Sequence, residues 1–245
     1  MNLIRSVLTV CVGLALLGCA AGVPDVIERS TPAAAVQSRA DLQALYASLP
    51  AAGGQVFTLD PIRSSIRIHA FRAARGKVFG HNHVLSAPTF VGYYFESPQG
   101  LAASHFDLVF RLDELSFDDP QQRLALGGAF ATELTPDAVA STREHMLGAN
   151  NFQAQQFPWV HIRSVELAGE LPKVAALISV ELHGQAREMW VPLTVTGPPQ
   201  YLQVQGSMVL RQTDFGVRPY SVLGGLLAVQ DAVVVDFTLH GVDLR

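Results

Sequence analysis

Two histidines separated by one residue are the strongest candidates for chemistry in this sequence. His81 and His83 lie in the stretch "FGHNHVLSAP", directly after Gly80. In an extended strand, alternate side chains share a face and lie about 6.6 Å apart, so both rings can reach one bound group. The pair is therefore a candidate for binding a metal ion or for contacting a polar group of a ligand. The plainer alternative is a polar rim beside a bend at Gly80.

A metal site at this pair would need at least one further ligand. The sequence offers four candidates, none at a recognisable spacing from the pair: His69, His105, His161 and Asp107. The letters HNH also name a nuclease motif, but its residues are spread along a ββα unit and do not form an adjacent tripeptide. A metal-dependent enzyme or redox protein that uses His81 and His83 therefore stays open as an alternative.

Other reactive groups give weaker indications of a site. Arg218, in "VRPYSVLGGLLAVQD", can bind a phosphate or a carbonyl oxygen, although the glycines after it are typical of a long hairpin loop. Asp118 and Asp119 are expected in a solvated turn, not as a glycosidase pair. The sequence contains neither a Gly-x-Ser-x-Gly elbow nor a phosphate-binding loop. These motifs therefore give no indication of a serine hydrolase or of a phosphate-binding enzyme.

The first 18 residues have the order of a bacterial lipoprotein signal peptide. Arg5 supplies the positive charge, and residues 7–17 form an uncharged apolar run that is too short to span a bilayer comfortably. Gly18 and Cys19 end this run as a lipobox does. We expect cleavage before Cys19 and acylation of its thiol, although an ordinary signal peptide or an uncleaved helix would have a similar pattern. The acyl chains would anchor the protein in the bacterial periplasm, and Ala20, in place of Asp, favours the outer membrane.

The composition excludes some classes of protein. The formal net charge is −4, and loss of Arg5 with the signal peptide would make it more negative, so no basic surface for nucleic acid is indicated. Cys11 would leave with the signal peptide and Cys19 would be acylated, so no cysteine pair remains for a disulfide. Stability must come from a hydrophobic core, which the 49% of apolar residues can supply.

Residues 19–54 are interpreted as an alanine-rich tether that contains one short helix. In "SRADLQALYASL", Leu42, Leu45 and Leu49 recur at helical spacing, and Ser38 can cap the helix. We expect this leucine stripe to dock against the domain that follows, and the helix to end at Pro50.

From residue 55 to residue 245 the pattern changes to the two-residue period of half-buried strands. In "HFDLVFRLDEL", the side chains of Phe106, Leu108 and Phe110 alternate with polar ones, and similar segments follow through short turns. One helix is expected after Thr135, with Pro136 at its first position. The pattern predicts an all-β domain of about eight antiparallel strands with one or two short helices, either a barrel or a sandwich.

Five segments, in the same order along the chain, resemble the YceI-like family. They are "FTLDPIRSSIRIHAF", "PTFVGYYFES", "NNFQAQQFPWVHIRSVEL", "LHGQAREMWVPLTV" and "LRQTDFGV" followed by "VQDAVVVDFTL". The resemblance covers about residues 55–243. It implies a periplasmic, lipocalin-like antiparallel β-barrel that holds an isoprenoid lipid, of the quinone or polyprenyl type, without catalytic residues or an obligatory cofactor. The lipobox and the His-x-His pair depart from the usual pattern of that family.

With this resemblance, the inward faces of the strands are expected to line the lipid. The expected lining residues are Phe90, Phe106, Leu108, Phe110, Ile178, Val180, Val191, Leu193, Val235 and Phe237. His81, His83 and Arg218 are candidates for contacting the lipid head group at the mouth of the barrel. The same apolar side chains can instead fill a small barrel, which would make the protein a structural module of the cell envelope.

Overall fold

A computed structural model describes residues 39–49, 53–73, 80–197, 200–222, 224 and 227–243. The signal segment, Cys19, Ser38 and Phe79 lie outside these ranges. The described helices are α1 Arg39–Ser48, α2 Pro120–Leu126 and α3 Pro136–Leu147. The strands are β1 Gln55–Leu59, β2 Ser65–Arg72, β3 His83–Ser86, β4 Val91–Glu96, β5 His105–Arg111, β6 Ser116–Phe117, β7 Trp159–Glu170, β8 Lys173–Leu182, β9 Gln185–Thr196, β10 Tyr201–Arg211, β11 Ser221–Val222 and β12 Leu227–Asp243.

Eight antiparallel strands close into a barrel, in the order β1, β4, β5, β7, β8, β9, β10 and β12. The ring closes because β12 pairs with β10 on one edge and with β1 on the other, where Phe57 lies opposite Asp243. Further along that second edge β12 also pairs with β2, which continues into β3 and β6. The predicted barrel is confirmed, and the sandwich is excluded because a closed ring has no free edge between two sheets.

The two-residue period places apolar side chains inside this barrel. Leu108 and Phe110 of β5 are buried, and Phe106 packs against the same core from a partly buried position. The core collects inward-facing residues from all around the ring, including Ile178 of β8, Val191 of β9 and Val235 of β12.

Helix α1 packs against the outer face of the barrel, as expected for the tether helix. Leu42 and Tyr46 are buried there, and with Val56, Tyr93, Phe95 and Val109 they form a second hydrophobic cluster. The predicted docking stripe is wrong at Leu45, which is 43% exposed. Tyr46 occupies that place because its ring stacks on Tyr93 at 5.0 Å between centroids.

The other two helices begin with capping residues. Thr135 Oγ1 accepts a hydrogen bond from the N–H of Ala138 at 3.2 Å, which starts α3 as predicted. Asp119 caps α2 in the same way, through the N–H groups of Gln121 and Gln122, and adds a third short helix to the two that the sequence indicates. Among the described residues, none of the helices combines the length and the apolarity needed to cross a membrane.

Candidate functional site

The interior of the barrel contains two adjoining apolar cavities. The distal cavity, about 110 Å³ of space open to the centre of a water molecule, is lined by hydrophobic residues, of which Tyr94 is the only one with a polar side-chain atom. The proximal cavity, about 90 Å³, includes Gln212, Arg211 and Asn151 among its lining residues. Four residues line both cavities: Ile66, Ile162, Met208 and Val235. The lumen is therefore open space with an apolar far end, and the barrel is not solid.

Nine of the ten expected lining residues lie in the walls of these cavities. Seven line the distal cavity: Phe106, Leu108, Ile178, Val191, Leu193, Val235 and Phe237. Phe110 and Val180 line the proximal cavity, as Val235 does as well. Phe90 is buried in the same core but does not line either cavity. Contact of these residues with a lipid stays a prediction.

A more polar cavity of about 190 Å³, here called the vestibule, adjoins the proximal cavity. It is lined by Gly80, His81, His83, Ser141, Thr142, His145, Leu227 and Ala228, together with four residues that also line the proximal cavity, Met146, Asn151, Tyr220 and Val229. Helix α3 covers this end of the barrel, because four of its residues face the vestibule. The walls of the distal and proximal cavities are both almost wholly apolar, and the polarity rises only at the vestibule.

The two histidines of the opening stretch both face the vestibule, as the strand spacing predicts. Between them, Asn82 is buried and turns away, and its Oδ1 accepts a hydrogen bond from the backbone N–H of Arg72 at 3.1 Å. Burial, the largest cause, lowers the pKa of His81, and the electrostatic influence of His83 and of two arginines lowers it further. His81 is therefore neutral at pH 7, because its ordinary value is 6.5.

His83 is held by a buried carboxylate. Its Nδ1 lies 2.7 Å from Asp118 Oδ2, and Arg123 Nη1 donates to Asp118 Oδ1 at 2.6 Å. The expectation of a solvated turn is wrong for Asp118, which is only 3% exposed. Burial by itself raises the pKa of this carboxyl, but hydrogen bonds from His83, Val84 and Arg123 outweigh it and hold the pKa below its ordinary value. Asp118 is therefore ionised and fixes the orientation of the imidazole.

Arg218 does not join the vestibule. Its side chain is exposed and lines neither the vestibule nor the lumen cavities. Only its backbone takes part, since the carbonyl oxygen accepts a hydrogen bond from Asn151 Nδ2 at 2.8 Å. Arg218 is thus corrected from a candidate head-group contact to a backbone support for Asn151.

The possible third metal ligands do not gather around His81 and His83. Asp107 Oδ1 lies 2.7 Å from His161 Nε2, and Asp107 Oδ2 accepts a hydrogen bond from Tyr46, so this cluster lies beneath α1. His105 packs against the rings of Tyr46 and Phe95, and His69 pairs with Asp236. Within the described ranges there is no group of three His, Cys, Asp or Glu residues arranged to hold a metal ion. The arrangement therefore does not favour the metal-dependent alternative.

The polar residues that α3 and the following turn bring to the vestibule were not among the site residues predicted from the sequence. Ser141 and His145 are four residues apart and so share one face of α3. This spacing is visible in the sequence, but it does not reveal that the face lies over the mouth of a barrel. Asn151 lies in the turn after α3, and no local pattern distinguishes it from its neighbour Asn150.

Comparison with known proteins agrees with this architecture. Among solved structures, BcnA of Burkholderia cenocepacia superposes with a TM-score of 0.54 at 16% identity, covering 74% of this chain and 98% of BcnA. A polyisoprenoid binding domain from Saccharophagus degradans, implicated in plant cell wall breakdown, superposes with a TM-score of 0.53 at 15% identity, covering 77% of this chain and 99% of that domain. At these identities the likeness supports the fold.

No curated protein matches this chain in sequence. Residues 57–241 match the family described as the YceI-like domain, and this range spans the closed barrel from β1 to β12. The match covers well over half of the sequence and agrees with the five segments that resemble this family. The chain therefore belongs to the YceI-like family.

Proposed function

We propose that this protein is a periplasmic, lipid-anchored carrier that holds an isoprenoid lipid, of the quinone or polyprenyl type, in its barrel. The observation that carries the proposal is the contrast in polarity between the lumen, whose two adjoining cavities are almost wholly apolar, and the polar vestibule at one end of it. This contrast matches a molecule with a long apolar tail and a small polar head. The proposed activity is binding, without a chemical step.

The physical basis for holding the tail is the area that it removes from water. Each buried CH₂ contributes about 0.8 kcal/mol, so a tail of several isoprene units can bind tightly without polar contacts. The lining residues provide a suitable wall, because they are hydrophobic and belong to one continuous core. The polyisoprenoid binding domain from Saccharophagus degradans has the same fold, which supports a ligand of this class.

The anchor and the location rest on the sequence. Residues 1–18 have the order of a lipoprotein signal peptide and Cys19 follows, so acylated Cys19 would tether the barrel to the membrane, with the outer membrane favoured. The tether between Cys19 and β1 would leave the barrel at the membrane surface. A carrier there can exchange its ligand with the bilayer.

The decisive experiment identifies what the protein carries. Protein purified from its own membranes should be analysed by native mass spectrometry and by extraction of its lipids. We expect one isoprenoid lipid per barrel, released on denaturation. If the purified barrel is empty and also takes up neither a quinone nor a polyprenyl lipid from vesicles, the proposed function is wrong.

A further inference from the structure

Asn151 presents an unpaired hydrogen-bond acceptor where the vestibule meets the lumen. Its side chain is 6% exposed, it lines both the vestibule and the proximal cavity, and none of the described residues donates a hydrogen bond to its buried Oδ1. The amide orientation is fixed, because Nδ2 donates to the carbonyl oxygen of Arg218 at 2.8 Å. Rotating the amide by 180° would bring two acceptors together. The free atom of Asn151 is therefore an acceptor.

His83 offers a second acceptor to the same space. Its Nδ1 lies 2.7 Å from the ionised carboxylate of Asp118, so the ring in its neutral form keeps its proton on Nδ1. Nε2 then carries a lone pair, and no described residue hydrogen-bonds to it. Because the ring lines the vestibule, this lone pair is available to a ligand there.

The remaining polar groups of the vestibule do not reverse its preference for a ligand that donates hydrogen bonds. Thr142 Oγ1 donates its proton to the carbonyl oxygen of Ala138 at 2.9 Å, within α3. The hydroxyls of Ser141 and Tyr220 can either donate or accept, so they adapt to the ligand. Neither lysine nor arginine is among the described residues that line the vestibule. A phosphate would therefore find no permanent positive charge among them.

We propose that the vestibule selects an isoprenoid whose head group donates hydrogen bonds, namely a hydroquinone or a prenol, over the corresponding quinone or prenyl phosphate. This inference rests on the proposed function, since the tail must occupy the lumen for the head to reach the vestibule. A quinone carbonyl is itself an acceptor and cannot satisfy the buried Asn151 Oδ1, which would stay without a donor. A hydroxyl satisfies this acceptor, so we expect hydroquinone to bind at least tenfold more tightly than quinone.

The test compares four probes on the full chain after removal of lipid that co-purifies. They are a benzoquinone, its hydroquinone with the same prenyl tail, farnesol and farnesyl phosphate, all titrated anaerobically by calorimetry at pH 7. The Asn151→Leu variant removes the unpaired acceptor and keeps an apolar side chain of similar size. We expect it to reduce the preference for hydroquinone over quinone to less than threefold. The matched control is Asn150→Leu at the exposed neighbouring asparagine, which should keep the wild-type preference.

A second readout does not depend on calorimetry. Tighter binding of the reduced form raises the midpoint potential of the bound quinone couple, by about 30 mV for each tenfold preference in a two-electron couple. We expect this rise in the wild type and in Asn150→Leu, and its loss in Asn151→Leu. A structural effect on folding alone would not move the potential of bound quinone.

The outcomes separate the two proposals. If quinone or farnesyl phosphate binds as tightly as the hydroxyl-bearing probes, the selectivity is overturned while the lipid-binding function stands. If Asn150→Leu loses the preference as well, the role of Asn151 is overturned. If none of the four probes binds, both the selectivity and the proposed function are wrong.

Discussion

The hydroxyl of Tyr46 donates a 2.8 Å hydrogen bond to Asp107 Oδ2, and this bond joins helix α1 to strand β5 of the barrel. The other oxygen of the same carboxylate lies 2.7 Å from His161 Nε2 on β7. The aspartate thus links a helix and two neighbouring strands. Burial raises the pKa of Tyr46, and the charge of Asp107 and the hydrogen bond raise it further, so the hydroxyl keeps its proton and acts as the donor.

Removing this hydroxyl should weaken the attachment of α1. Tyr46→Phe keeps the ring that stacks on Tyr93 but leaves Asp107 with one partner fewer, so the free energy of unfolding should fall by about 1.5 to 3 kcal/mol. Urea denaturation measures the change. Tyr201→Phe, at a tyrosine that is half exposed, is the control and should change stability by less than about 0.5 kcal/mol. Equal effects of the two substitutions would contradict a stabilising hydrogen bond between Tyr46 and Asp107.

The buried carboxylate of Asp118, which holds His83, should contribute strongly to the stability of the fold. Asp118→Asn removes the negative charge that pairs with the buried guanidinium of Arg123, and an unpaired buried charge costs roughly 3 to 5 kcal/mol. The same denaturation experiment should show this loss, while Asp137→Asn, at an exposed position in the first turn of α3, should have little effect. A loss below about 1 kcal/mol would mean that Asp118 and Arg123 are not coupled in this way.

The contribution of Asp118 should depend on pH in one direction only. Its pKa is lower in the folded protein than its ordinary value of 3.8, so its stabilising contribution is complete above that value and is lost as pH falls through the folded pKa. The difference in unfolding free energy between the wild type and Asp118→Asn should therefore be smaller at pH 3 than at pH 5, with most of the decrease below about pH 4. Denaturation curves at pH 7, 5, 4 and 3 test this, and a difference that persists unchanged at pH 3 would refute it.

Filling the distal cavity should prevent lipid from binding. Val191→Trp places a large ring into the lumen at a cost of about 1 to 3 kcal/mol, and co-purifying lipid should fall at least tenfold. Ala175→Trp adds the same ring at an exposed position of β8 and should carry the wild-type amount. Circular dichroism confirms that each variant is folded, and Val191→Phe offers a milder version. Undiminished lipid in folded Val191→Trp would show that the lipid is held elsewhere.

The proposed anchor makes its own prediction. Cys19→Ser should abolish incorporation of labelled palmitate and release the protein from the membrane fraction, because the thiol is the proposed site of acylation. Cys11→Ser, within the signal segment, should retain both the label and the membrane. If Cys19→Ser still incorporates palmitate, the lipoprotein assignment fails.

The alternation of apolar and polar residues predicted the antiparallel strands because it is a local property, whereas the choice of a barrel over a sandwich came from the resemblance to the YceI-like family. Phe106, Leu108 and Phe110 recur every second residue, so their common face follows from the geometry of one strand. The prediction of the docking face of α1 was wrong at Leu45 for a physical reason. Leu45 and Tyr46 both lie near the middle of a stripe that includes Leu42 and Leu49, and the ring of Tyr93 on β4 decides between them.

The vestibule could not be predicted because its residues meet only after the ring closes. Asp118 resembles any carboxylate in a turn until Arg123 and His83 enclose it. Asn151 differs from the exposed Asn150 in its burial and in the carbonyl oxygen of Arg218 that orients its amide. These partners are far apart along the chain, so spacing in the sequence does not identify them. His81 and His83 were found because their separation by one residue is itself a signal, although only His83 lies within a strand, at the start of β3.

The closure of the ring by β12 determines when, during folding, a ligand can be enclosed in the lumen. Phe57 and Asp243 lie near opposite ends of the barrel sequence, and their pairing joins β1 to β12. Pairing between such distant positions forms slowly, because long loops must close first. Until β12 lies between β1 and β10, the wall of the lumen is incomplete, and a lipid tail in it would stay exposed to water. For the proposed carrier, we therefore expect a lipid to be loaded only after the barrel has folded.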